Sequence, residues 1–401
     1  MNLPLAGYTV LDLSQVIAGP ETAMLLGELG ANVIKVEKPG GEDSRNMGAA
    51  ASGMSRTFSM LNRNKRSIEL DLSKPEGKAV LYRLAAQADI LVEGFIPGAA
   101  DRMGIGFAEL SSRNPRLVYA TISGFGTAGP YADKPAYDLV LQGMSGVMGA
   151  RRWPDGTPIP APLWVGDASA PFMLLMGIFL ALMEREKTGR GQKVEASLLL
   201  AQIAMQGTQL IRVKGEEKAE DLGSASFQPY RCGDGEFINV TILNERQWQG
   251  FSRVLGVEHL GADPNYNTVD KRVVRRDELF NLIGGILETK AAAEWLALLQ
   301  AAGVPCGPVV ARADVFDLPQ VTANHMFVER EQVGLGTVQE MNFPLRFSSI
   351  ETAIQRPAPL CGQHTGEVLA EFGFSGVEIE ALRGAGALGK GGPPPLSSSD
   401  R

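Results

Sequence analysis

The chain has 401 residues, 44% of them apolar and 21% charged, and carries a formal net charge of −7. That length points to two domains, and the acidic balance excludes a global basic field for nucleic acid, so an anionic ligand must be met by local positive groups. Three scattered cysteines (Cys232, Cys306, Cys361) argue against a disulfide framework and fit a reducing compartment, while His259, His325 and His364 lack a second ligand at chelating spacing, so no metal site is expected.

In chain order, residues 8–13 read as a buried strand, followed by a turn at 15–20 and a helix over 21–29, with Pro20 near its first turn and Gly30 as its stop. Residues 32–37 form a second strand. This βαβ opening begins a parallel α/β sheet. Residues 67–72, 89–93 and 117–122 continue it as strands, with a helix at 75–86. A doubly wound sheet is expected through about residue 200, in a large domain over 1–210. A linker is expected at 211–230, charged and then Gly/Ser-bearing, and a small α+β domain at 231–312. Within the small domain, residues 236–242 read as a strand, and helical patterns run over 246–255, 269–287 and 291–302. Residues 313–383 read as a return segment with a helix near 365–372, and the Gly/Pro/Ser-rich 384–401 as a disordered tail.

No basic segment leading into an apolar run marks a secretory signal near the N-terminus. The longest apolar stretch, residues 168–183, falls short of the ~20 needed to cross a bilayer and reads as a buried core helix. A cytoplasmic protein with neither membrane nor nucleic-acid partner is expected.

Three motifs bear on chemistry. At the first turn, Ala18-Gly19-Pro20 is not a dinucleotide fingerprint, although Glu37 ends the second strand where a ribose-binding acid would sit. Gly143-Met144-Ser145-Gly146 begins like a nucleophile elbow, but the second glycine is due at position 147, which is Val. The third is Gly166-Asp167, just ahead of the long apolar run. Pro171 suits the first turn of that helix, and a carboxylate at a helix start is held ionised by the macrodipole. Asp167 then reads either as a helix N-cap or as an accessible carboxylate nucleophile. Lys38, Lys74, Arg102 and Lys134 lie near strand ends or loops. Together, at the carboxyl edge of a parallel sheet, they could neutralise a polyphosphate.

Ordered motifs run through most of the chain: Val-Ile-Ala-Gly-Pro at 16–20, Leu-Gly-Ala-Asn-Val-Ile-Lys-Val-Glu at 29–37 and Asn-Lys-Arg-Ser-Ile-Glu-Leu-Asp at 64–71. Pro-Gly-Ala-Ala-Asp-Arg-Met-Gly follows at 97–104, then Lys-Thr-Gly-Arg-Gly-Gln at 187–192, Gly-Val-Pro-Cys-Gly-Pro at 303–308 and Gly-Gln-His-Thr at 362–365. With these the chain resembles the class III CoA-transferases, typified by formyl-CoA transferase. The resemblance implies Asp167 as nucleophile and coenzyme A as the carried group. It maps the CoA site onto Val16, Ile17, Ala18, Lys38, Leu70, Ser73, Gly94, Phe95, Ile96, Arg102, Lys134 and Tyr137, with Gln15 and Tyr137 toward the acyl group. Lys38 stands where relatives often have Arg, and Gly94 where some have Asn. The implied fold is an interlocked homodimer of large Rossmann-like and small domains, with a glycine-bearing lid for which residues 222–227 are the candidate. Acyl-CoA racemases share this fold and use a His-Asp pair, but Tyr137-Asp138 stands there, and tyrosine is a poor base at neutral pH. Transfer of CoA between an acyl-CoA and a carboxylic acid is expected, without metal. A dicarboxylate such as succinate is the favoured acid, with a racemase or an idle CoA-binding protein as alternatives.

Overall fold

Short runs centred on Val, Ile or Leu, joined by two more polar runs (Lys65–Glu69 and Lys193–Ser197), become the strands of one parallel sheet. In the computed structural model, which describes residues 3–48, 54–215, 225, 227–352 and 354–389, they are β1 (Thr9–Asp12), β2 (Asn32–Glu37), β3 (Lys65–Glu69), β4 (Ile90–Glu93), β5 (Val118–Ser123) and β6 (Lys193–Ser197). The strand order is β3-β2-β1-β4-β5-β6, with every pairing parallel. The order reverses between β1 and β4, and the crevice beyond the carboxyl ends of those strands is where such sheets bind ligands.

Alternate residues feed two cores, as expected for a sheet covered on both faces. Val10, Val33, Ile90 and Val118 face one core, with α1 (Ala18–Glu28), α7 (Val165–Thr188) and α8 (Leu198–Met205). Leu11, Ile34, Leu91 and Tyr119 face the other, with α3 (Pro75–Ala85) and α5 (Phe107–Arg113). The remaining helices of this stretch are α2 (Arg56–Asn62), α4 (Ala99–Arg102) and α6 (Asp138–Ser145).

The described residues fall into two compact units, one within 1–211 and 324–401, the other within 212–323. In the second, β7 (Phe227–Arg231), β8 (Phe237–Thr241) and β9 (Cys306–Pro308) form an antiparallel sheet. It carries α9 (Glu245–Val254), α10 (Glu258–Ala262), α11 (Val269–Val274), α12 (Arg276–Leu287) and α13 (Ala292–Ala301) with a core of Tyr230, Trp248, Phe251 and Trp295, and α14 (Pro319–Ala323) follows outside that core. The single helix expected over 269–287 is two, divided at Arg275.

The chain then re-enters the first unit through the hairpin β10 (Phe327–Gln332) and β11 (Gly336–Met341), followed by α15 (Thr365–Glu371) and α16 (Gly376–Gly384). Val368, Leu369, Phe372 and Ile379 join the core under β3. The tail expected to be disordered from 384 is ordered through Gly389. Leu388 is buried and bridges Leu70, and the Asp71 amide donates to the Ala387 carbonyl at 2.9 Å. Residues 390–401 lie outside the described residues, as do residues 216–224 and 226 of the linker expected at 211–230.

Helix α7 has 24 residues and is long and apolar enough to cross a membrane, yet half of its most apolar window is buried. Leu174, Leu175, Ile178, Ala181 and Leu182 pack into the core.

Candidate active site

Helix α7 leads into β6 at the amino edge of the sheet, so its own start lies at the carboxyl edge, beside the start of α1. The long helix begins at Val165, six residues before Pro171, so the expectation that Pro171 opens it is corrected. The reason is a distant cap. Asp138, the first residue of α6, accepts hydrogen bonds from the Gly166 amide (2.5 Å) and the Asp167 amide (3.0 Å), satisfying first-turn donors that no residue of α7 could reach. Asp138 is buried and fixed by neutral amides: Gln142 donates to Oδ1 at 2.7 Å and Gln202 to Oδ2 at 3.2 Å. A Cβ at position 166 would stand 3.0 Å from both the Asp138 carboxylate and the Gln202 amide, so glycine is needed there. Pro171, now inside the helix, cannot donate to the carbonyl four residues back, which is that of Asp167.

The expectation that the macrodipole keeps Asp167 ionised is also corrected. The free amides at the positive end of α7 are spent on Asp138. Asp167 is half-buried, and burial, with the Asp138 charge second, pushes its carboxyl up to about 7. Among the described residues no group donates a hydrogen bond to its side chain. Glu21, in α1, faces the same place. Burial and then the Asp167 charge push it up to about 7 against the pull of Arg63.

The CoA residues implied by resemblance divide into three groups. Gln15, Lys38, Leu70, Ser73, Phe95 and Arg102 line one cavity of about 410 Å³ at the switch point. Leu13, Val36, Leu72 and Met103 supply its apolar wall, and Lys78 adds a cation. Val16 and Ile17 belong to the turn after β1, Ala18 opens α1 and Gly94 follows β4, whereas Ile96 lines a neighbouring cavity of about 190 Å³. Lys134 and Tyr137 are exposed and line neither cavity; Tyr137 stands beside Asp138 at the Asp167 end. Gln15, expected toward the acyl group, is among the residues that line the cavity. Lys74, grouped with the phosphate cations, donates to the Ala385 carbonyl at 2.6 Å, and Lys38 pairs with Asp43 at 2.6 Å. Of the expected lid, residues 222–224 and 226 lie outside the described residues.

Glu37 is not free to hold a ribose. It is buried, receives Arg45 at 2.6 and 2.7 Å, Ser67 Oγ at 2.6 Å and the Glu42 amide at 3.1 Å, and these partners hold its carboxyl below the usual range despite burial. Among the described residues no cluster of His, Cys, Asp and Glu is arranged to hold a metal.

Sequence reasoning missed Asp138 as a cap, Glu21 and Lys78. Lys78, in the first turns of α3 after a predicted strand, could have been found from its place. Asp138 caps a helix 29 residues away, which no local signal reports.

The carboxyl edge of the parallel sheet thus carries a cavity lined by Lys38, Lys78 and Arg102 together with Glu37 and Asp71, and, at the start of α7, a carboxyl that accepts no hydrogen bond from the described residues. Residues 5–365 match the model of CoA-transferase family III, and the chain belongs to that family of enzymes. It is 33% identical over 379 residues to human succinyl-CoA:glutarate CoA-transferase, covering 92% of this chain and 86% of that protein. It is 34% identical over 378 residues to acetyl-CoA:oxalate CoA-transferase of Acetobacter aceti, covering 92% and 96% respectively. Among solved structures, a CAIB/BAIF family protein from Brucella suis superposes with a TM-score of 0.81 at 32% identity, covering 93% of this chain and all of that one. Rv3272 from Mycobacterium tuberculosis gives 0.82 at 30%, covering 92% and 99%.

Proposed function

We propose that the protein moves CoA from an acyl-CoA to a carboxylic acid through Asp167, and the observation that carries this reading is the unpaired, half-buried Asp167 carboxyl at the start of α7. An Asp167 oxygen attacks the thioester carbonyl, expelling CoA thiolate and forming a mixed anhydride. The thiolate attacks the aspartyl carbonyl of that anhydride, releasing the donor acid and leaving an aspartyl-CoA thioester. The acceptor carboxylate attacks this thioester, expelling the thiolate again. The thiolate finally attacks the acceptor's acyl carbon in the second anhydride, forming the new acyl-CoA and restoring Asp167. Thioester energy is kept throughout, so neither ATP nor metal takes part. The intermediates survive only if water is excluded.

Lys38, Lys78 and Arg102 supply the positive charge that the phosphates of CoA require. The commitment of Asp138 to the α7 amides favours transfer over racemisation, since it leaves no acid–base pair at Tyr137-Asp138. A dicarboxylate acceptor is the substrate reading, supported by relatives named for glutarate and oxalate. Glu21, neutral below about pH 7, would then not repel an entering acid. An interlocked homodimer of large and small domains is supported by the exposed stripe Phe172, Met176, Leu180 and Met183 on α7, apolar surface of the kind that marks an interface. Three unpaired cysteines fit a reducing, cytoplasmic setting.

Brief incubation with acetyl-, succinyl- and oxalyl-CoA, a quench with hydroxylamine and peptide mapping test the reading. Conversion of Asp167 to its hydroxamate is expected, and the productive thioester narrows the donor. CoA binding without modification by any donor would overturn covalent transfer.

A further inference from the structure

The turn between β1 and α1 carries a conformation that its sequence disfavours. Val16 has φ +71°, in the left-handed region that a β-branched residue rarely adopts. Such backbone persists only where its surroundings over-determine it. Here the restraint is visible. The Val16 amide donates to Glu42 Oε2 at 2.9 Å, across 26 residues of sequence. Glu42 is itself buried and pinned: its Oε1 accepts from Ser44 Oγ at 2.8 Å, and its backbone amide donates to Glu37. Lys35, fully buried, lies 3.3 Å from Glu42 and donates to the Ser14 carbonyl at 3.0 Å, so one ammonium ties both sides of the turn. Asp12 closes the set, accepting from the Ser14 amide at 3.0 Å and from Lys65 at 2.8 Å. Val16 is thus held by a charge-compensated network with no part in covalent transfer.

We propose that Glu42 is a positioning residue for coenzyme A, holding Val16 in its left-handed conformation so that the turn at residues 15–18 presents its backbone to the nucleotide end of the carrier. This rests on the reading that the turn and the adjacent cavity bind CoA. The backbone of a turn held in one shape recognises a ligand without ordering cost, whereas a turn free to relax pays that cost in affinity.

The test is titration of CoA by calorimetry, with steady-state kinetics alongside. Glu42→Asp keeps the buried charge beside Lys35 but shortens the reach to the Val16 amide. It is expected to raise the Kd and the KM for acyl-CoA roughly five- to tenfold, the range for losing one strained-turn restraint, with kcat within twofold. Glu42→Gln keeps the reach and one acceptor for the Val16 amide but turns an NH2 toward Lys35 and Ser44, so it should lose less affinity than Glu42→Asp. Val16→Gly adopts the same backbone without strain. In the Glu42→Asp background it should recover most of the affinity lost by that change. A Glu42→Asp variant with native affinity, or a loss that Val16→Gly does not relieve, would overturn the positioning role. Arg102→Ala separates this from the underlying reading. If Arg102→Ala weakens CoA while Glu42→Asp does not, the site stands and the positioning fails. If neither does, the CoA site lies elsewhere and both fall.

Discussion

The starts of α1 and α7 lie at the same edge of one sheet and handle buried acid in opposite ways. At α1, Asp12 and Glu42 hold the backbone, and two fully buried lysines compensate them. Burial alone would raise the Asp12 carboxyl, but Lys35 and Lys65 overcome it and bring it down to about 2. At α7, Asp138 holds the backbone in the same manner, but its side-chain partners are the neutral Gln142 and Gln202. Burial first, and this uncompensated charge second, raise Asp167 to about 7. The two sites share a device, an acid from a distant element accepting backbone amides, and differ only in whether a cation accompanies it. Compensation yields a rigid binding turn. Its absence adds to burial at Asp167, whose carboxyl then exchanges its proton near neutrality.

The largest test breaks the comparison at α7. Asp167→Ala should lower turnover by a factor on the order of 10³ or more while CoA affinity stays within about twofold; stopped assays and calorimetry read the two. Turnover near native would remove Asp167 from the chemistry. A subtler change sharpens the contrast. Asp138→Asn keeps an oxygen acceptor for the Gly166 and Asp167 amides but deletes the charge. Asp167 must be ionised to attack, so kcat should climb to a plateau through about pH 7, and the asparagine variant should shift that limb toward acid. An unmoved limb would mean that burial alone sets the acidity of Asp167.

The smallest effect is on stability. The folded state raises the carboxyl of Asp167 above its unfolded value, so between about pH 4 and 7 the native protein holds a proton that the unfolded chain has released. Stability from this group is therefore lost as pH rises through that window. Asp167→Asn should melt about 2 °C above the native protein at pH 8, a modest figure because Asp167 is incompletely buried and partly screened, and level with it at pH 4. Calorimetric scans at the two values decide it.

What could be read from the sequence follows the range of the forces involved. The strands at 9–12, 32–37 and 90–93 were legible because apolar runs bounded by turns are local signals. Asp167 was legible from its place beside a glycine and a long apolar stretch, and Lys38 and Arg102 from their places after strands. Helix α7 was placed to start too late because its cap, Asp138, arrives through space. Residues 384–389 looked disordered because glycine-rich composition carries no trace of the Leu70–Leu388 bridge. Glu42 escaped notice for the same reason. Its partner is an amide, and amides leave no mark in a sequence.

The return of residues 324–389 to the first unit has a consequence for the order of events during synthesis. The first six strands emerge early, yet the core beneath β3 lacks Val368, Leu369, Phe372 and Leu388 until the chain is nearly complete. A nascent chain therefore carries an apolar sheet face for the whole time that the second unit is being made. That is an interval in which non-local contacts cannot close and aggregation is the competing fate. Nicks or truncations ahead of residue 388 should thus be felt first in the yield of soluble chain, well before any effect on turnover is measurable.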